Sequence, residues 1–343
     1  MMHQLSVTVL ASPQKDSLTY SGAAAGFGNG MAPYSVGRID FHSLSERTGP
    51  NMSTSNHKGT SRRRLLTRGG LFVATAALPT AWLASSASAD EISAMATVDM
   101  EMVVLAAQVD PRKSGTGITP GCGPHVTPVE QRLNARGLLN SAQVDGHFGT
   151  STISAYSSYQ KQLGYSGLDA NGMPGPTSLA KLGEGGHYTV TRPISAGSRT
   201  GSYGGKRTNT RTVNMLAAAD ARLSWNLTLT QGSYTSSNPG SAGTHDGGGV
   251  VDISVSGLST AQRWQTVREL RRVGFAAWLR TPEQGFAYHI HAVAVSDPDL
   301  ASAAQPQVHD YYFGKNGLAN HAADNTPSEY RVAFTWYEKY KRG

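Results

Sequence analysis

Thr244-His245-Asp246-Gly247-Gly248-Gly249-Val250-Val251-Asp252, followed further on by Tyr288-His289-Ile290-His291, is the stretch around which the chain is organised. Together the two segments give H-x6-D and then H-x-H. Zinc takes imidazole nitrogen and carboxylate oxygen in a tetrahedral shell, and a catalytic site keeps three protein ligands with a fourth position open. The three candidates are His245, Asp252 and His291. The apolar and β-branched residues of 286–295 predict a strand, on which residues two apart share a face about 6 to 7 Å from each other. His289 therefore stands beside His291, placed to act on water or on an oxyanion. Val250-Val251-Asp252-Ile253 predicts a second strand, in which a lone carboxylate among apolar neighbours is costly unless something compensates it. The three glycines between His245 and Asp252 let the chain turn back sharply.

The constellation resembles the superfamily of zinc D-Ala-D-Ala carboxypeptidases, lysostaphin-type endopeptidases and the hedgehog signalling domain. The resemblance covers roughly residues 212–318. It implies one zinc ion on His245, Asp252 and His291, with His289 assisting catalysis; Asp246 is a further candidate base on its loop. Relatives that release D-alanine use an arginine after the strand corresponding to Leu229-Thr230 to hold a terminal carboxylate. Here the segment reads Gln231-Gly232-Ser233-Tyr234, and no arginine occurs between Arg222 and Arg263. Gln231 and Tyr234 can offer neutral hydrogen bonds, which suits an internal peptide or cross-link better than a terminal carboxylate. Many relatives also carry an acid beside or shortly before the metal-binding histidine, whereas here the adjacent residue is Tyr288 and the nearest preceding acid Glu283. Arg263 and Arg280 are the cations left to take the carboxylate role.

The beginning of the chain belongs to export rather than to the fold. Ser61-Arg62-Arg63-Arg64-Leu65-Leu66 matches the twin-arginine pattern and precedes an apolar run over 69–84 and the small-residue site Ala87-Ser88-Ala89. That run is interrupted by Pro79 and is shorter than the roughly 20 residues of a membrane span. The expectation is therefore a twin-arginine signal over 52–89, removed after Ala89, with no stable membrane anchor afterwards. Residues 1–51 read as a disordered extension or a mis-assigned start, with Met52 as the translation start. The expected location is secreted or associated with the cell wall.

Charge changes once the signal is set aside. The chain carries 30 basic and 23 acidic side chains, of which 8 and 3 precede Asp90, leaving 22 against 20. A nearly neutral remainder argues against nucleic acid as a partner. The lone Cys122 excludes an intramolecular disulfide and reads as a small buried residue in a Gly-Cys-Gly turn.

Residues 90–123 read as a spacer with at most one helix. Over 124–183, Val129, Leu133 and Leu138 fall near helical spacing, and Thr127-Pro128 fits an N-cap followed by a first-turn proline. Two related turns follow, Asp145-Gly146-His147-Phe148-Gly149 and Asn171-Gly172-Met173-Pro174-Gly175, each leading into a helix. The pair resembles the small three-helix peptidoglycan-binding domain. It implies an all-α domain that binds peptidoglycan, with Asp145, His147 and Tyr159 as candidate contacts. Residues 184–211 are Gly-, Ser- and Thr-rich, with Arg192, Arg199, Lys206, Arg207 and Arg211 against one acid, Glu184. They read as a flexible basic linker able to touch anionic wall polymers.

In the C-terminal domain, 212–318, helices are expected over 213–223, 260–273 and 301–312, and strands over 227–230, 250–253, 275–279 and 286–295. That makes an α+β domain with an antiparallel sheet. Residues 319–343 form a tail with no assigned role. The expected function is a zinc peptidase of cell-wall peptide stems or cross-links, brought to its polymer by the binding domain. The alternative is a non-catalytic peptidoglycan-binding protein with a structural zinc.

Overall fold

The structure, a computed structural model, describes residues 95–343; the expected extension and twin-arginine signal lie outside the described residues. The described chain is α+β. In chain order it comprises β1 (Ala96–Asp99), α1 (Met100–Val109), α2 (Gly123–Ala135), α3 (Thr150–Gln162), α4 (Pro176–Gly183), β2 (Tyr188–Thr191), β3 (Gly201–Tyr203), β4 (Lys206–Thr208) and α5 (Thr210–Asp220). It continues through β5 (Leu229–Gln231), β6 (Val250–Ser254), α6 (Thr260–Arg272), β7 (Phe275–Arg280), β8 (His289–Ala294), α7 (Gln305–Tyr312) and α8 (Tyr337–Arg342).

A four-stranded antiparallel sheet of order β5-β6-β8-β7 positions the site. Strand alternation divides its residues between two cores. Val251, Ile253, Phe275, Ala277, Leu279, Ile290 and Ala292 point to one side, where they pack with Met215 and Leu216 of α5 and Val267 and Leu270 of α6. Val250, Ala276, Trp278 and Val293 point to the other, into a cluster that also holds Val103 and Val104 of α1 and Phe148, Tyr156 and Leu179 of the helical segment. The helices over 123–183 thus share one hydrophobic cluster with a face of the sheet.

Three segments differ from the sequence reading. In the 90–123 region, read as a spacer, α1 is buried almost throughout: Met100, Val103, Val104, Leu105 and Val109 are all at most 4% exposed. Five such side chains represent on the order of 10 kcal/mol of gross hydrophobic stabilisation, so this helix belongs to the core. The helix is started by Asp99, whose carboxylate accepts from the Glu101 amide.

Residues 184–211, read as a flexible linker, contribute β2, which pairs in parallel with β1, and the β3–β4 hairpin. The expectation weighed the segment's own composition, but β2 completes hydrogen bonding offered by β1, and β3 and β4 satisfy each other. Its basic residues are largely consumed. Arg192 pairs with Asp99, Arg199 with Asp169 and Asp299, and Arg211 with Glu338. Finally, α2 begins at Gly123 with Pro124 in its first turn, so Pro128 lies inside the helix rather than at its start. Thr127 points its hydroxyl back to the Gly123 carbonyl instead of capping.

The tail over 319–343 returns across the molecule. Trp336 Nε1 and both terminal nitrogens of Arg342 donate to the buried Glu101 carboxylate of α1.

Candidate metal centre

The sheet register brings the candidate residues into two adjacent cross-strand rows. Gln231, Asp252, His291 and Trp278 are successive partners across β5, β6, β8 and β7, and one step along lie Ser254, His289 and Arg280. These rows occupy the face opposite α5 and α6, and they open into a cavity of about 730 Å³. His245 reaches the same place from the loop before β6.

That loop depends on its glycines in two different ways. A Cβ on Gly247 would strike the backbone of Asp299 and Ala301, and one on Gly248 would meet the Tyr234 hydroxyl. Only Gly249 takes up a left-handed conformation, at φ +77°. The loop is fixed by Tyr234 N to Gly247 O, Thr235 N to His245 O and Ala294 N to Gly249 O bonds.

The donor atoms converge. One ligand atom from each of His245, Asp252 and His291 lies within 4.8 Å of the others, an arrangement that could hold a metal ion. Asp252 Oδ1 is 3.4 Å from His245 Nε2 and 2.8 Å from His291 Nδ1. The far nitrogen of each ring has its own partner, the outer support usual for metal-binding histidines. His245 Nδ1 lies 2.8 Å from the Gly232 carbonyl, which can only accept, so Nδ1 carries the proton and Nε2 is bare. His291 Nε2 lies 3.1 Å from Gln307 Oε1, while the Gln307 amide nitrogen donates to Gly317 O. Gln307 therefore presents its oxygen to the ring, placing the His291 proton on Nε2 and leaving Nδ1 bare.

Bare nitrogens at these distances from a carboxylate oxygen repel it unless a cation, a metal or a proton, lies between; with a proton there, each ring donates to Asp252. Burial would raise the Asp252 carboxyl, but hydrogen bonds and charge from His245 and His291 outweigh it and hold it well below the usual carboxylate range. Burial pulls the His291 imidazole below its ordinary value despite Asp252 beside it. An ionised carboxylate with bare imidazole nitrogens is the state a metal requires of its ligands.

His289 Nδ1 lies 2.8 Å from the Ala287 carbonyl, so its Nε2 is the bare nitrogen, 3.8 Å from Asp252 Oδ1. Tyr288 points the other way, 47% exposed and under the Arg263 guanidinium, as strand alternation requires. Gln231 lines the cavity. Tyr234 does not: its hydroxyl donates to Asp299, and its left-handed backbone turns it toward the 297–299 loop. Asp246 is exposed and lines a neighbouring cavity with Ser157 and Lys161 of α3, away from the three converging donors. Of the candidate polymer contacts, Tyr159 is fully buried, so its ring serves the core. Asp145 accepts from the His147 amide, and the His147 ring bonds the Gly117 carbonyl, which ties both into their turn.

Several lining residues escaped the sequence reading. Arg112 comes from the segment read as a spacer, Gln307 and Asp310 from α7, and His321 from the segment read as a tail. No local motif marks them, because their roles come from packing of distant segments. Arg280, one of the two cations singled out for a carboxylate, is on the cavity wall, and Arg263 is outside with Tyr288. The Arg280 guanidinium is buried over Trp278 and donates to the Asn316 carbonyl. Burial pulls its pKa down to about 10, and it makes no ion pair among the described residues.

No protein-family model, curated protein or solved structure matches this chain.

Proposed function

We propose that the protein is an exported zinc peptidase acting on the peptide stems or cross-links of peptidoglycan. The observation that carries this reading is the convergence of His245 Nε2, Asp252 Oδ1 and His291 Nδ1 at the floor of an open cavity, beside the bare Nε2 of His289. Two imidazoles and one carboxylate fit zinc, and structural zinc sites are closed by a fourth protein ligand, whereas three residues converge here among the described residues.

Zinc bound there would acidify water and polarise a carbonyl. The chain supplies the rest. His289 Nε2 takes a proton from the attacking water, and Trp278 stacked at 6.4 Å from His291 keeps that ring in place. Gln231, at the cavity edge, bonds Thr235 and Asn238 and can turn toward a peptide group. The resemblance of 124–183 to peptidoglycan-binding domains supports the polymer as substrate. The twin-arginine pattern supports a place at the wall. Because α1–α4 share a core with the sheet, delivery would rest on a fixed arrangement of binding and cutting surfaces rather than on a tether.

The test is metal content of the chain from residue 90 to 343, together with digestion of purified sacculi followed by product masses. One zinc per chain, lost in His245→Ala, with release of peptide fragments, is the expected result. A wild-type protein that binds no zinc would overturn the reading.

A further inference from the structure

We infer that His321 is a second proton-transferring residue of the cleft, the donor to the leaving amine, and that Asp310 positions it; this rests on the peptidase reading above. His321 lines the same cavity as His245, Asp252, His289 and His291. Its Nδ1 lies 2.9 and 3.0 Å from the two oxygens of Asp310, whose carboxylate is buried. A buried carboxylate on one ring nitrogen fixes the tautomer and the orientation of the ring, leaving Nε2 to exchange a proton with whatever occupies the cavity. Nε2 has no protein partner among the described residues.

The position follows from α7. Gln307 and Asp310 are three residues apart on one helix, so their side chains leave it as neighbours with Cβ atoms about 5–6 Å apart. Gln307 holds the ring of His291 and Asp310 holds the ring of His321. One helical face thus orients two histidines, one of the three converging residues and one elsewhere on the wall of the same cavity.

The pair is not needed to close its own loop. The 315–323 segment is closed by backbone bonds, Asn316 N to Ala322 O and His321 N to Leu318 O, and by the Lys315–Ala323 bridge. His321 sits in the left-handed region at φ +47°, a conformation uncommon for a residue with a side chain. The same loop accepts Arg280 on its Asn316 carbonyl, which fixes it to β7.

Amide hydrolysis needs two proton movements, one from the attacking water and one to the leaving amine. In the step proposed, water adds to the carbonyl carbon as His289 Nε2 takes its proton. The C–N bond then breaks as the amine nitrogen takes the proton on His321 Nε2. Exchange with solvent afterwards returns His289 and His321 to their starting states, so that amide and water give acid and amine.

The experiment compares wild type with His321→Asn and Asp310→Asn, on purified sacculi and on p-nitrophenyl acetate, with His291→Ala as background. Asparagine tolerates the left-handed backbone, and zinc content with near-ultraviolet circular dichroism reports folding. A p-nitrophenolate leaves without a proton, so loss of a proton donor spares the ester. The expected result for His321→Asn is one zinc per chain, sacculus cleavage lowered about 100-fold or more, and ester hydrolysis within about three-fold of wild type, the size of one hydrogen bond. Asp310→Asn is expected to follow the same pattern. Unchanged sacculus cleavage, equal loss on both substrates, or loss of zinc would each overturn the role of His321 while leaving the peptidase reading intact. A zinc-loaded wild type that cuts neither substrate would overturn both.

Discussion

Gln307 decides which nitrogen of His291 faces Asp252. Its amide nitrogen is committed to Gly317 O, so its oxygen must accept from His291 Nε2, and Nδ1 is turned to the carboxylate. Removing that constraint leaves the ligands in place but frees the ring to turn and to change tautomer. On the proposed function, Gln307→Ala is therefore expected to weaken zinc binding about 10- to 100-fold without unfolding the protein. Competition with a chromogenic chelator measures it, and an affinity equal to wild type would show that Trp278 stacking alone orients the ring.

At the scale of the element, α2 carries Glu130, a buried carboxylate that ties the helix to the following turn and to α3. It accepts from the amides of Asp145 and Gly146 and from the Thr152 hydroxyl. Burial raises its pKa from 4.5 to about 7, against the lowering effect of the Gly146 and Thr152 bonds. The folded state then keeps a proton that the unfolded state has released between about pH 4.5 and 7. Stability contributed by this group is thus present below that window, falls as pH rises through it, and levels off above. Glu130→Gln cannot titrate. Urea midpoints from pH 4.5 to 8 should show the decline in wild type and a flatter profile in the variant; parallel profiles would mean that the carboxylate is ionised throughout.

For the whole molecule, the shared core and the returning C-terminal segment set the folding unit. Ending the chain at Leu318 removes the Trp336 and Arg342 donors from buried Glu101 and the Asp324 carboxylate from buried Arg271. An uncompensated buried charge costs roughly 3–5 kcal/mol, comparable to the whole stability of many domains. A 90–318 protein is expected to lose its near-ultraviolet circular dichroism and, on the proposed function, the capacity to bind zinc. Retention of both would show that the terminal segment only decorates the fold.

The sequence by itself determined the sheet strands, the α6 helix and the convergence of His245, Asp252 and His291, because each rests on local spacing: alternation puts His289 and His291 on one face, and the glycine run lets His245 approach Asp252. The α+β class followed from the same periodicities. What only the tertiary structure decided is which segments complete the cleft and the core. Met102–Val109 was visible as an apolar run, but its burial depends on partners such as Val293 and Trp278 that lie far along the chain. Arg192, Arg199 and Arg211 looked unpaired because Asp99, Asp299 and Glu338 meet them only on folding. Gln307, Asp310 and His321 carry no local signature for the same reason: hydrogen bonds and ion pairs form between neighbours in space, and composition and periodicity report only neighbours along the chain.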